Sequence, residues 1–191
     1  MKNNFLKFDL KSNLISAFII APTLAVMLIS TVYQMFASQS GLIKSGFSLS
    51  MSLLTAVAIS AGLVLAVVNS KHIVPIVYAL IFGLGFVSYL IIVISGTSNV
   101  AEDAFFEMMM LIFTLPLMSF MSIPSVLSVD RAPALLVISA IITAISITVA
   151  IYIVIKEKRE AERRKIEEAE RIKNAEKAKA KKSRRRRGEV R

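Results

Sequence analysis

Glu107 is the acid best placed to do chemistry in this chain. It lies in a long, largely apolar run, residues 104–129, one helical turn past Asp103 and on the same helix face. A carboxylate within a hydrocarbon layer is costly, and it persists where it lines a water-filled path, pairs with a base or binds a cation. The same run holds Pro116 and Pro124, and Ser119, Ser122, Ser125 and Ser128 recur at every third position. Each proline frees the carbonyl four residues before it, and a broken helix of this kind can present carbonyls and hydroxyls to an ion or substrate. Glu107, Asp103, Pro116, Ser119, Ser122 and Pro124 therefore form a candidate ion or proton pathway. The plainer reading is that the acids sit at headgroup depth, while the serines satisfy proline-freed carbonyls and join helices.

A second chemistry is concentrated near the C-terminus. Lys177, Lys179, Lys181, Lys182, Arg184, Arg185, Arg186 and Arg187 place eight basic residues within 177–187 without one acid. Such a run attracts anionic lipid headgroups, at about 1 kcal/mol per basic residue near a membrane surface, or the phosphates of RNA. No aromatic residue interleaves with these cations, so base stacking and sequence reading are not expected. Ser183, in their midst, would become a charge switch if phosphorylated.

Other chemistries lack their residues. The chain has no cysteine, which removes disulfides, thiol redox chemistry and thiolate metal sites. Its one histidine, His72, stands beside Lys71 with no second ligand nearby in sequence. No G-x-S-x-G, H-E-x-x-H or Walker motif occurs. Neither an enzyme nor a bound cofactor or metal is expected.

The elements that would position these residues are membrane helices. Residues 134–155 run for 22 positions without a charge, about 33 Å of helix and close to the thickness of a hydrocarbon core. The run is rich in Ile, Val and Thr, yet an open strand in lipid would leave its backbone groups unpaired. Residues 156–187 are mostly charged and contain no Gly or Pro, so one helix through two solvents is expected. The mean hydropathy of +0.69 places the whole chain outside ordinary soluble domains. The expected fold is all-α: a polytopic membrane bundle of four to five segments with a long, basic, helical C-terminal tail. Spans are expected at about 13–36, 47–68, 73–95, 104–129 and 133–155, after a short N-terminus at 1–12 and before a tail at 156–191.

Small residues recur on helix faces, and those of the second and third spans mark expected helix contacts. Ala17, Ala21 and Ala25 fall on one face of the first span; Ala58, Gly62 and Ala66, with Ser52, Ala56 and Ser60, do so on the second. Ala79 and Gly83 are the matching small face of the third span, which places Gly62 and Gly83 near that helix contact. Residues 69–72 leave room only for an antiparallel hairpin.

Charge constrains orientation. The tail, 156–191, carries 17 basic and 8 acidic residues and so +9 of the net +10; the other 155 residues carry 6 and 5, or +1. Cytoplasmic loops attract Lys and Arg, so the tail is expected in the cytoplasm of a cell membrane. Five crossings, which the length of 104–129 supports, would put Lys2, Lys7 and Lys11 outside. Four crossings with a re-entrant fourth segment would keep those lysines and Lys71 inside.

In composition alone, the basic tail resembles the ribosome-contacting tails of membrane insertion factors. Small spans with a charged tail likewise resemble phage holins. The expected function is a non-enzymatic scaffold or accessory subunit in the lipid bilayer. Its tail would touch anionic headgroups or RNA and the ribosome, and its small-residue faces would pair in a homo- or hetero-oligomer. The alternative is a small channel, holin-like pore or transporter built on the fourth segment.

Overall fold

The computed structural model describes residues 10–95 and 112–188, so Asp103 and Glu107 lie outside the described residues. The described chain is helical, without a strand. Its elements are α1 (Leu10–Gln39), a 3₁₀ turn (Leu42–Lys44), α2 (Gly46–Val68), α3 (Ile73–Ser95), α4 (112–118), α5 (Ser122–Leu127) and α6 (Arg131–Gly188). Four of these, α1, α2, α3 and α6, contain stretches long and apolar enough to cross a membrane. The protein is thus an all-α helical bundle with the dimensions of a membrane protein. It divides into two compact units, Met1–Ile151 and Tyr152–Arg191.

The first unit is packed on a seven-residue rhythm of small and polar side chains. On α1 the buried positions include Ser16, Thr23, Ser30 and Ala37; on α2 they include Ser48, Thr55 and Gly62, and again Ser52, Ile59 and Ala66. Leu14, Phe18, Leu24, Leu28 and Phe36 of α1, and Phe47, Leu53, Val57 and Val64 of α2, face outward. A water-soluble bundle would be built the other way round. Where lipid is the solvent, leucine gains little by being inside, and small hydroxyl residues let backbones approach. A 3.5-residue seam is the geometry of shallow left-handed crossings near about +20°.

α1 and α2 are antiparallel, since Thr23 bonds the carbonyl of Ala58, Ser30 that of Met51 and Gln34 that of Ser48. Ser45 caps α2 by accepting from the Ser48 N–H at 3.2 Å. The α2–α3 turn is a Schellman motif: Lys71 N–H bonds Ala66 O at 2.8 Å and Ser70 N–H bonds Val67 O at 3.3 Å. Ser70, not glycine, takes the left-handed position at φ 51°.

These contacts order the ends of the first unit. The N-terminal end of α1 and the 69–72 turn share one end; the 3₁₀ turn and Ser95 share the other. α5 packs on the 3₁₀ turn, so α6 begins at that second end. A groove beside α2 is lined by Ser60, Val64 and Val68 together with Ile145 and Val149. α6 therefore runs parallel to α2 and reaches Ile151 at the end that holds the 69–72 turn. Ser95 and Asp130 consequently lie at the same end.

The glycines differ in what they permit. A Cβ on Gly62 would collide with the Tyr78 hydroxyl of α3 and lie 3.2 Å from Thr23 Oγ1 of α1. Gly83 is half-buried and looks toward α6, where Thr143 Cγ2 would be 3.7 Å away. The closer approach on α3 is at Gly85, where a Cβ would lie 2.6 Å from Leu117 Cδ1 and 3.1 Å from the Phe113 carbonyl. Gly85→Ala is expected to destabilise the bundle by about 1–3 kcal/mol, as overpacking against backbone does. Gly83→Ala should leave unfolding in detergent unchanged, because 3.7 Å is ordinary van der Waals contact.

Candidate functional site

The most concentrated polar cluster among the described residues is where α1, α2 and the break between α4 and α5 meet. Ser30, Gln34, Ser48, Ser52, Ser119 and Ser122 all have 0% exposure. The break has a local cause. Pro124 has no N–H to give the carbonyl of Phe120, four residues earlier. The chain tightens to three-residue hydrogen bonds instead: Phe120 N–H to Leu117 O, Met121 N–H to Met118 O and Ile123 N–H to Phe120 O, at 3.0, 3.1 and 3.1 Å. In an unbroken α-helix the Ile123 N–H would serve Ser119 O and the Phe120 N–H would serve Pro116 O.

Side chains take over both carbonyls. Ser119 Oγ turns back to donate to Pro116 O at 2.7 Å. Ser119 O accepts from Ser52 Oγ at 2.7 Å and lies 3.3 Å from Ser30 Oγ. Just upstream, Thr31 of α1 donates to Leu115 O at 3.1 Å. The break is thus held by hydroxyls from two neighbouring helices, the condition under which irregular backbone survives without water.

Counting protons fixes the direction of each bond. Gln34 Nε2 has two hydrogens, one for Ser48 O at 2.7 Å and one for Ser52 Oγ at 3.1 Å. Ser52 has a single proton, and the 2.7 Å contact to Ser119 O claims it. The 2.6 Å contact between the Ser52 and Ser122 hydroxyls must then be donated by Ser122. Ser122 Oγ also lies 3.1 Å from Ser48 O, so its one proton is shared unequally between two acceptors. The amide of Gln34 cannot be flipped, because its oxygen would then face the Ser48 carbonyl oxygen. In this orientation no described protein donor reaches Gln34 Oε1, which is buried.

Of the residues singled out from sequence, Ser119 and Ser122 sit at the centre of this junction. Pro124 is buried beside them in α5, and Pro116 is half-buried in α4. Ser125 bonds its own helix at Met121 O, 2.8 Å, and Ser128 ends α5 in a left-handed conformation at φ 56°. Of the small-residue faces, Gly62 and Ala66 are buried, Ala58 and Ala79 are half-buried, and Ser60 is exposed. Ala17, Ala21 and Ala25, which share one face of α1, are exposed. The tail backbone is helical through Gly188, and Lys177 is exposed. The side chains of Lys179, Lys181, Lys182, Arg184, Arg185, Arg186 and Arg187 lie outside the described residues.

Sequence reasoning overlooked Ser30, Gln34 and Ser48. The available signal was the seven-residue spacing of Ser16, Thr23 and Ser30, with Gln34 one turn further on. The cluster contains no titratable group, so its chemistry is hydrogen bonding. Among the described residues no three His, Cys, Asp or Glu side chains gather as a metal site. The chain matches no protein-family model, no curated protein and no solved structure.

Ser52→Ala removes the donor to Ser119 O and the acceptor for Gln34 and Ser122. It is expected to cost about 1–2 kcal/mol, the upper range for interhelical polar contacts in membranes. Ser60→Ala should cost nothing measurable, since Ser60 is exposed and bonds only Ala56 O of its own helix. Thermal melting of the two variants in one detergent makes the comparison.

Proposed function

We propose that the protein is a multi-pass, non-enzymatic scaffold or accessory subunit whose basic tail contacts anionic lipid headgroups on the cytoplasmic face. The observation that carries this reading is where the basic charge gathers. Lys11 at the start of α1 and Lys71 in the 69–72 turn belong to the end at which α6 reaches Ile151. The +9 tail follows five residues later in the sequence. Among the described residues the opposite end holds Lys44, Asp130 and Arg131, a net of +1. By the positive-inside bias the first end belongs in the cytoplasm. Four crossings then leave both termini there, and the 96–130 stretch starts and finishes on the outer side.

The tail fits a surface contact rather than a helix pairing. Residues 158–174 are exposed, and Ile166 and Ile172 are the only large apolar side chains among them. Two isolated isoleucines make neither a heptad seam nor a face that inserts into lipid. Charge is what the tail offers, and anionic headgroups are the nearest acceptors to a helix that begins at the bilayer.

The competing reading is a channel, pore or transporter, and the observation that favours it is the helix break at 119–121. Against it, the hydroxyls and freed carbonyls there are already bonded to one another. Proteoliposome flux distinguishes the two. Glu107→Gln and Pro116→Ala should leave flux equal to that of empty vesicles, as should the unaltered protein, whereas solute-specific flux that these changes abolish would establish a pore.

The tail contact has its own test. In neutral-lipid nanodiscs at low salt, the full chain should bind phosphatidylserine vesicles at least about tenfold better than a chain lacking residues 177–191, and added salt should erase the difference. Equal binding by the two chains would contradict the lipid contact, and selective capture of RNA or ribosomes would reassign it.

A further inference from the structure

We propose that the serine–glutamine junction is a hydration site, in which one water molecule donates a hydrogen bond to Gln34 Oε1. Gln34 is fully buried and its amide orientation is fixed by the 2.7 Å bond from Nε2 to Ser48 O. Its carbonyl oxygen is buried without a described protein donor. A buried amide oxygen left unbonded is rare in folded proteins and costs most of what its partner amide gains. The neighbouring hydroxyls cannot supply the missing proton. Ser52 spends its own on Ser119 O, and Ser122 divides its own between Ser52 Oγ and Ser48 O.

The ligand must therefore bring its own hydrogen, and this excludes a simple metal cation. An ion here would need several of these oxygens to turn their lone pairs inward, yet the shortest contacts, 2.6 and 2.7 Å, already engage them as hydrogen bonds. None of the six side chains carries a charge to offset dehydration of the ion. Water meets the requirement, because it donates twice and needs only two to four polar partners. Gln34 Oε1 takes one of its hydrogens. Ser122 Oγ, which accepts no bond in this arrangement and shares the partners Ser48 O and Ser52 Oγ with Gln34 Nε2, is the acceptor we assign to the other.

Position in the bundle makes hydration practicable. Gln34 lies five residues before the end of α1, and Ser48 two residues after the start of α2. The junction is thus within about two helical turns of the loop end and not at the centre of the hydrophobic span.

The test is a crystal structure of the full chain at a resolution that shows ordered water, together with the variant Gln34→Met, whose side chain has similar length and no amide. The expected result is a density peak at about 2.7–3.2 Å from Gln34 Oε1, absent in Gln34→Met. The proposal is overturned by a protein donor seated on Oε1, by an Oε1 facing only carbon, or by a peak ringed by oxygens at metal-bond distances. Should Gln34→Met fail to fold, the unaltered chain alone decides among these outcomes.

Discussion

A hydroxyl or amide proton that must find a carbonyl without help from water is the constraint on which this structure depends. Many of the buried hydroxyls in the first unit resolve it locally or across a helix contact, whereas those of Thr143 and Ser146 find no partner among the described residues. Ser88 donates back to Leu84 O at 3.0 Å within its own helix. Ser52 reaches from α2 to the broken element and bonds Ser119 O at 2.7 Å. In water such a bond is worth little, because the solvent offers an equal one. Enclosed by apolar side chains, it decides which backbones can lie together, and that is how a six-residue helix such as α5 keeps a place beside α1 and α2.

Topology follows from the same contacts. The bonds that hold residues 115–122 to Thr31, Ser30 and Ser52 lead the chain toward the 3₁₀ turn, and α5 then packs on that turn. A segment held so delivers α6 to the end of the bundle where α3 finished. The count of span-length helices among the described residues is four. An even number of crossings would keep the lysines of the N-terminal stretch on the same face as the basic tail, which five crossings would place on opposite faces.

Much of this was legible in the sequence. The second and third spans, expected at 47–68 and 73–95, occur as Gly46–Val68 and Ile73–Ser95. Charge-free length and the absence of helix breakers also foretold that α6 would run on through the charged tail. What the sequence hid was which face looks inward. A four-residue stripe advances about 40° around a helix at each step, whereas a seven-residue repeat drifts only about 20°. The alanine stripe at 17, 21 and 25 therefore pointed outward, and Ser60 rotated away from the seam that keeps Ser52 inside. The partner of the break between α4 and α5 was equally hidden, because the prolines announce a break without saying which neighbour will satisfy it. That depended on Ser52 and Ser30, 67 and 89 residues away in the chain.

The central proposal is that the ends of α1 and α5 near residues 40 and 129 lie on one side of the membrane, and the 69–72 turn and the tail on the other. A chain without native thiols allows this to be measured directly by single-cysteine labelling in intact cells, using Ser40→Cys, Asn69→Cys, Val129→Cys and Ser183→Cys. The account predicts that a membrane-impermeant maleimide labels positions 40 and 129 from outside, and positions 69 and 183 only after permeabilisation. Labelling of 40 and 129 from opposite sides, or of 183 in intact cells, would contradict it.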